Sequence, residues 1–180
     1  MLPSDECKPI VRRLSPRDDL AAAAHVYVAS WRVAYAGLVP QDYLDSLTEG
    51  VWMESLARRV NRTWVACEDG AVIGVCSYGS ARDEERAGWG EVVSLYVQPG
   101  RWGAGVGSRL LHAALDSLRA EGFAQAYLWV LEDNARARAF YERQGFGLDE
   151  CGQSVEIGGV ALREVCYVAT FAEEESDERG

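Results

Sequence analysis

Leu95-Tyr96-Val97-Gln98-Pro99-Gly100-Arg101-Trp102-Gly103-Ala104-Gly105-Val106-Gly107-Ser108 is the most informative stretch of this chain. An apolar run stops at Pro99-Gly100, and closely spaced glycines open an amphipathic segment from about Ala104 to Ala120. Its apolar stripe is Val106, Leu110, Leu111, Ala114 and Leu118. A strand that feeds a helix through glycines gathers free backbone N–H groups and the positive end of the helix dipole at one point. That arrangement binds phosphates without any side chain. Glycine allows positive φ and close approach of a ligand. Arg101 and Arg109 flank the turn and would add charge for a diphosphate.

Three readings of this turn compete. A P-loop requires Gly-Lys-Ser/Thr, and the segment has no lysine. A dinucleotide fingerprint would require glycine at 108 or 110, where Ser108 and Leu110 stand. Glu132 and Asp133 do follow the next strand, where a ribose-binding acid would lie, so that reading stays open. Glycines that merely permit close helix–strand packing are the third.

Outward from the turn, the pattern is mixed α/β. Ile10 to Arg13 reads as a short strand, and Ser15-Pro16 with Asp18 as a turn and helix start. An alanine-rich helix runs from about Asp19 to Tyr35, and Gln41 to Leu47 and Val51 to Val60 are shorter helices. Thr63 to Cys67 and Val72 to Tyr78 flank Glu68-Asp69-Gly70, a hairpin signal. Ala81 to Gly88 is a charged loop, and Trp89 to Val97 a longer strand. Beyond the amphipathic helix, Gly122 is a C′ residue, Ala126 to Leu131 a strand, Asn134 to Gln144 a helix ended by Gly145, and Arg163 to Thr170 the strand that closes the sheet.

The 180 residues suit one domain, 48% apolar and 26% charged, the balance of a soluble globular protein. No apolar run approaches the ~18 residues of a membrane span, and Met1 to Pro9 has no signal-peptide h-region, so a cytoplasmic enzyme without membrane partners is expected. Cys7, Cys67, Cys76, Cys151 and Cys166 have no metal-like spacing and read as reduced core thiols; with only two histidines, no metal is expected. Of the net charge of −10, an acidic tail at 173–180 with Glu173, Glu174, Glu175, Asp177 and Glu178 carries a large part. The rest argues against nucleic acid, which demands a basic face, and fits a cationic small substrate.

The turn, its preceding strand and Asn134-Ala135-Arg136-Ala137-Arg138-Ala139-Phe140-Tyr141-Glu142-Arg143-Gln144-Gly145-Phe146 resemble the two signature blocks of GNAT N-acetyltransferases. The first block, Q/R-x-x-G-x-G/A, falls at Trp102 to Gly107, with Trp102 in place of Gln or Arg. The second matches closely through Asn134, Tyr141 and the Gly145-Phe146 ending. Together they span about residues 89 to 150. The resemblance implies a GNAT fold over residues 1–172: a central mixed, mostly antiparallel twisted sheet of about six or seven strands flanked by helices, with splayed parallel strands at the acyl-CoA site. It also implies acetyl-CoA as cosubstrate, an amine as acceptor and direct attack in a ternary complex. Members of the family are often homodimers.

Site residues follow from the same resemblance. Gly103, Ala104, Gly105, Val106, Gly107 and Ser108 would hold the diphosphate. Leu95, Tyr96 and Val97 would hold the pantetheine arm through their backbone and polarise the carbonyl, with Asn134 beside them. Tyr141, seven residues after Asn134, matches the family's proton donor to the thiolate, though a core aromatic is the other reading. Asn134 also suits a helix cap. An alkylamine with a pKa near ~10 must lose a proton before attack. Glu91 is the candidate base: in a regular strand it shares a face with Val93, Leu95 and Val97, where apolar neighbours would raise its pKa. A solvated strand start is the alternative, and a bulge would shift the alternation. Trp129 stands five residues before Asn134, where the ribosomal-protein branch often has a glutamate. Ser30 to Leu38 resembles a common opening of bacterial family members, and Trp31, Tyr35 and Trp89 would wall the acceptor pocket or belong to the core. A small primary amine, a protein N-terminus or lysine, and a non-catalytic acyl-CoA-binding module remain three readings of the whole.

Overall fold

The computed structural model describes residues 8–15 and 20–171; the expected helix start at Pro16 to Asp19, Cys7 and the acidic tail lie outside them. Seven strands form one sheet: β1 (Ile10–Arg13), β2 (Thr63–Glu68), β3 (Ala71–Ser80), β4 (Gly90–Val97), β5 (Gln125–Leu131), β6 (Gly147–Ile157) and β7 (Val160–Thr170). Their spatial order is β1-β2-β3-β4-β5-β7-β6, and every neighbouring pair is antiparallel except β4 and β5. This is the expected mixed, mostly antiparallel sheet with a parallel pair.

Five helices flank it: α1 (Leu20–Ala34), α2 (Gln41–Ser46), α3 (Gly50–Arg58), α4 (Val106–Ala120) and α5 (Ala135–Arg143). On one face the α4 stripe, with Leu110, Leu111, Ala114 and Leu118, packs with Tyr141 and Phe146 onto Val92, Leu128 and Val130. On the other, Ala23, Ala24, Val26 and Tyr27 of α1 meet Leu56 of α3 and Val65 and Val75 of the sheet. The strand alternation that makes this possible is visible in β5, where Ala126, Leu128 and Val130 all belong to the α4 side.

The expected β2–β3 hairpin forms, with Glu68 paired to Ala71 and the loop reduced to Asp69-Gly70, at φ of 50° and 82°. Two successive positive φ values match the twist of the flanking strands, and Asp-Gly adopts them readily. The last hairpin differs from expectation. Arg163 to Thr170 does not close the sheet: β7 begins at Val160 and lies between β5 and a further edge strand, β6. β6 escaped the sequence reading because it is mostly exposed and has no apolar alternation. Its signal was Gly158-Gly159, with φ of 61° and 80°, joining Ile157 to Val160. The hairpin tip rests on α2, where a Cβ on Gly158 would come within 2.8 Å of Tyr43.

Cys76 and Cys166 are buried, and burial pushes both thiols up to about 12, which removes them from nucleophilic chemistry near neutral pH. Cys67 is half-buried, and Cys151, on the edge strand, is exposed rather than in the core. Among the described residues no helix is long and apolar enough to cross a membrane.

Candidate active site

The parallel pairing of β4 with β5 is confined to Gly90↔Ala126 and Glu91↔Tyr127. One step further along β4 the register with β3 shifts: Tyr78 faces Val92 and Ser77 faces Ser94, leaving Val93 as an extra residue. A bulge bends the strand that carries it, and β4 and β5 separate beyond it. A cleft of about 680 Å³ occupies the gap, bordered by both strands, α1, the glycine turn and α5. Strand edges that part company inside a sheet leave backbone donors and acceptors facing the opening.

The turn forms the rim of the cleft on the α4 side. Gly103 and Gly105 take φ of 81° and 77°, and a Cβ at either would meet nothing within 4 Å, so backbone conformation rather than space calls for glycine there. Gly105 is also the N-cap of α4 and provides no side-chain cap, so the first-turn N–H groups have no side-chain acceptor. These features fit an anionic phosphate group. Gly103, Gly105, Gly107 and Ser108 line the cleft, whereas Ala104 does not and Val106 turns its side chain into the core. Leu95, Tyr96 and Val97 line it too, and the Val97 carbonyl accepts hydrogen bonds from Ser30 Oγ (2.9 Å) and Trp102 Nε1 (2.7 Å). Both flanking arginines are engaged elsewhere: Arg101 with Glu68, and Arg109 with the Pro9 carbonyl.

From α5, Asn134 and Tyr141 reach the cleft. Asn134 Oδ1 accepts from Ala137 N at 3.2 Å, so it does cap its helix, while its amide makes no hydrogen bond among the described residues. Tyr141 is buried between Phe140 and Phe146 with ring centroids 5.2 and 5.9 Å away. Burial pushes its hydroxyl well above the ordinary tyrosine value. That hydroxyl has no hydrogen-bond partner among the described residues.

Glu91 is 2% exposed, so it is not at a solvated strand start. The bulge at Val93 also reverses the expected alternation. Leu95 and Val97 belong to the α4 side, while Tyr96 packs with the α1 cluster and Ser94 Oγ bonds Tyr27 Oη at 2.7 Å. Glu91 therefore shares the α1 side with Ser94 and Tyr96, not an apolar face with Leu95 and Val97. There Arg82 grips it: Nη2 donates to Oε1 at 2.6 Å, Nε to both oxygens at 3.1 Å, and the Arg82 backbone N–H to Oε2 at 3.0 Å. This hydrogen-bonded carboxylate holds the Arg82 guanidinium above its ordinary pKa. Arg82 belongs to the loop read from sequence only as charged.

Trp31 and Tyr35 line the cleft as expected, their rings edge to face at 4.7 Å. Tyr96 completes this wall, with its hydroxyl 3.2 Å from that of Tyr35, whereas the family resemblance gives a role to its backbone alone. The Trp31 indole N–H is buried and has no hydrogen-bond partner among the described residues. Trp89 does not border the cleft. Its ring packs against Tyr127 at 6.4 Å beneath the buried Arg86, whose guanidinium lies 5.1 Å from each ring and donates to Asp149 Oδ2 at 2.7 Å. The loop carrying Arg82 is thereby pinned to the sheet. Glu164, Gln153 and Ile157 of the last hairpin also face the cleft.

Known proteins share this arrangement. The family model described as the acetyltransferase (GNAT) family matches residues 19–146. An uncharacterized N-acetyltransferase, YuaI of Bacillus subtilis (strain 168), is 33% identical over 154 residues, covering 82% of this chain and 86% of its own. Among solved structures, PaiA N-acetyltransferase from Thermoplasma acidophilum in complex with coenzyme A superposes with a TM-score of 0.70 at 22% identity, covering 91% of this chain and 99% of that one. The Salmonella typhimurium yncA structure, a putative acetyltransferase with its cofactor acetyl-CoA, gives 0.67 at 20% identity, covering 96% and 99%. With its splayed parallel strands, glycine turn and matched sequence blocks, the chain belongs to the GNAT family of acetyltransferases.

Proposed function

We propose that this enzyme transfers the acetyl group of acetyl-CoA to a primary amine of a small molecule, by direct attack in a ternary complex in the cytoplasm. The observation that carries the reading is that one cleft borders the glycine turn and Tyr141 on the α4–α5 side and Glu91, Trp31 and Tyr35 on the α1 side. A thioester and an amine would thus meet from opposite faces of the sheet. Acetyl-CoA supplies the activated acetyl group. The turn's N–H groups bind phosphate, and the β4 backbone from Leu95 to Val97 and the Asn134 amide orient the arm. Tyr141 holds its proton at neutral pH and delivers it to the departing sulfur. Glu91 draws the ammonium in and receives its proton, and Arg82 keeps the carboxylate oriented. Walls from α1 and from Ile157 of the hairpin support a small acceptor over a peptide laid along the surface.

The first test is thermal stability with acetyl-CoA, coenzyme A and NADH. A ligand at ~100 times its dissociation constant adds about 2.7 kcal/mol, so both coenzyme A forms should raise the melting temperature and NADH should not. A panel of small amines beside a panel of peptides then separates the acceptors. Saturable transfer to small amines is expected. Saturation by peptides alone would replace the acceptor, and tight binding with no transfer to any amine would make the protein an acyl-CoA-binding module.

A further inference from the structure

Arg101 borders the cleft but is paired with Glu68, and Arg109 is held on the Pro9 carbonyl. Arg136, on the first turn of α5, is placed differently. Its guanidinium lies 3.4 Å over the centre of the Trp102 ring, and it forms no ion pair or hydrogen bond among the described residues. Burial is the one influence on its pKa, drawing it below the ordinary arginine value with no carboxylate to offset it. Trp102 is itself fixed by the hydrogen bond from its indole N–H to the Val97 carbonyl. Arg136, Trp102, Gly103 and Gly105 border the same cleft.

A guanidinium laid on an indole gains cation–π attraction and keeps its in-plane N–H edges free. Those edges match the oxygens of a phosphate two at a time. We propose that Arg136, seated on Trp102, is the side-chain contact for the diphosphate of the bound coenzyme, opposite the N–H groups of the glycine turn. Trp102 then acts as a positioning residue at the place where the family's block has Gln or Arg: it provides a flat seat for a cation delivered by another helix. The assignment rests on the acetyltransferase reading above.

Isothermal titration with coenzyme A, 3′-dephospho-coenzyme A and pantetheine tests it on wild type, Arg136→Ala and Arg136→Lys. Arg136→Ala should weaken coenzyme A and 3′-dephospho-coenzyme A alike by about tenfold, the size of one charge-assisted contact, and leave pantetheine unchanged. Arg136→Lys keeps the charge but loses the planar fork, so its affinity should fall between the two. Raising salt should narrow the gap between wild type and Arg136→Ala. Unchanged affinity in both variants overturns the assignment, as does a loss confined to coenzyme A, which would move Arg136 to the ribose phosphate. A loss that extends equally to pantetheine would mark a structural defect and overturn it too. Wild-type protein that takes up neither phosphorylated ligand would sink the acetyltransferase reading along with it.

Discussion

The two walls of the cleft are held by different means. On the turn and α5 side, the ligand-facing groups are main-chain N–H groups set by two left-handed glycines, with one helix-capping asparagine and one tyrosine a helix turn or two away. On the opposite side, Tyr35 comes from the turn that follows α1, Arg82 from a loop, Glu91 and Tyr96 from β4, and Glu164 from β7. The first wall is local in sequence and is set by backbone conformation. The second depends on ion pairs and ring contacts between distant segments. Changes on the first wall should act through cofactor binding or proton delivery, and changes on the second through the acceptor and through pH.

The largest expected effect is on the first wall. Tyr141→Phe removes a proton donor while keeping the ring that packs against Phe140 and Phe146. It should lower kcat by about 100-fold or more, within the range of general acid catalysis, while the coenzyme A dissociation constant changes less than about twofold. A kcat near wild type would remove Tyr141 from the mechanism. Next comes the second wall: Glu91→Gln should lower kcat/KM for the amine by roughly tenfold to 100-fold and alter the acid limb of its pH profile. Coenzyme A affinity should stay as it is. A profile identical to wild type would clear Glu91 of any proton-handling part and leave Arg82 and Glu91 as a structural clasp.

This contrast also explains which features were legible in the sequence. Gly103, Gly105, Asn134 and Tyr141 lie in two short stretches of the chain, so the resemblance of those stretches to the family's blocks located them. The Asp69-Gly70 hairpin was readable from its turn residues. Glu91 was found, but its face was misread: the bulge at Val93 arises from how β4 pairs with β3 and is not written in the alternation of residues 91–97. Trp89 was misplaced because the buried Arg86 draws its ring toward Tyr127, a contact between the loop before β4 and β5. Arg82 stood in a run of charges and gave no sign of the buried carboxylate it would meet. β6 is polar and exposed, and only Gly158-Gly159 announced it.

A smaller effect probes the main-chain character of the first wall. Alanine at Gly105 would sit at φ 77° with open space around its Cβ, so its cost is conformational. That cost is about 1 kcal/mol, or roughly 2–4 °C in melting temperature for a domain of this size. Coenzyme A binding should weaken as well, because the first-turn N–H groups shift. Gly100 also has open space but no positive φ, so Gly100→Ala should stay within about 0.5 kcal/mol of wild type. Equal losses at the two positions would show that space or dynamics, rather than left-handed backbone, governs the turn.

The smallest expected effect lies beneath the second wall, at the pin that holds the Arg82 loop. The hydrogen bond from Arg86 holds the Asp149 carboxyl below the usual carboxylate range, and the pair lies 2.7 Å apart with Asp149 partly exposed. Asp149→Asn keeps an acceptor oxygen and leaves Asp83 3.7 Å from Arg86, so the loss at pH 7 should be under about 1 kcal/mol. Because the folded-state pKa is depressed, the folded protein binds fewer protons than the unfolded chain in mildly acid solution. Stability from this group is therefore present above the unfolded pKa and fades as pH falls through the folded one. Melting curves of wild type and Asp149→Asn should separate near neutrality and converge in acid below the carboxylate range. The deficit of Gly105→Ala, which involves no titrating group, should stay constant over the same interval. If both deficits were flat with pH, the second wall would not be held by charge, and the distinction between the two sides of the cleft would fail.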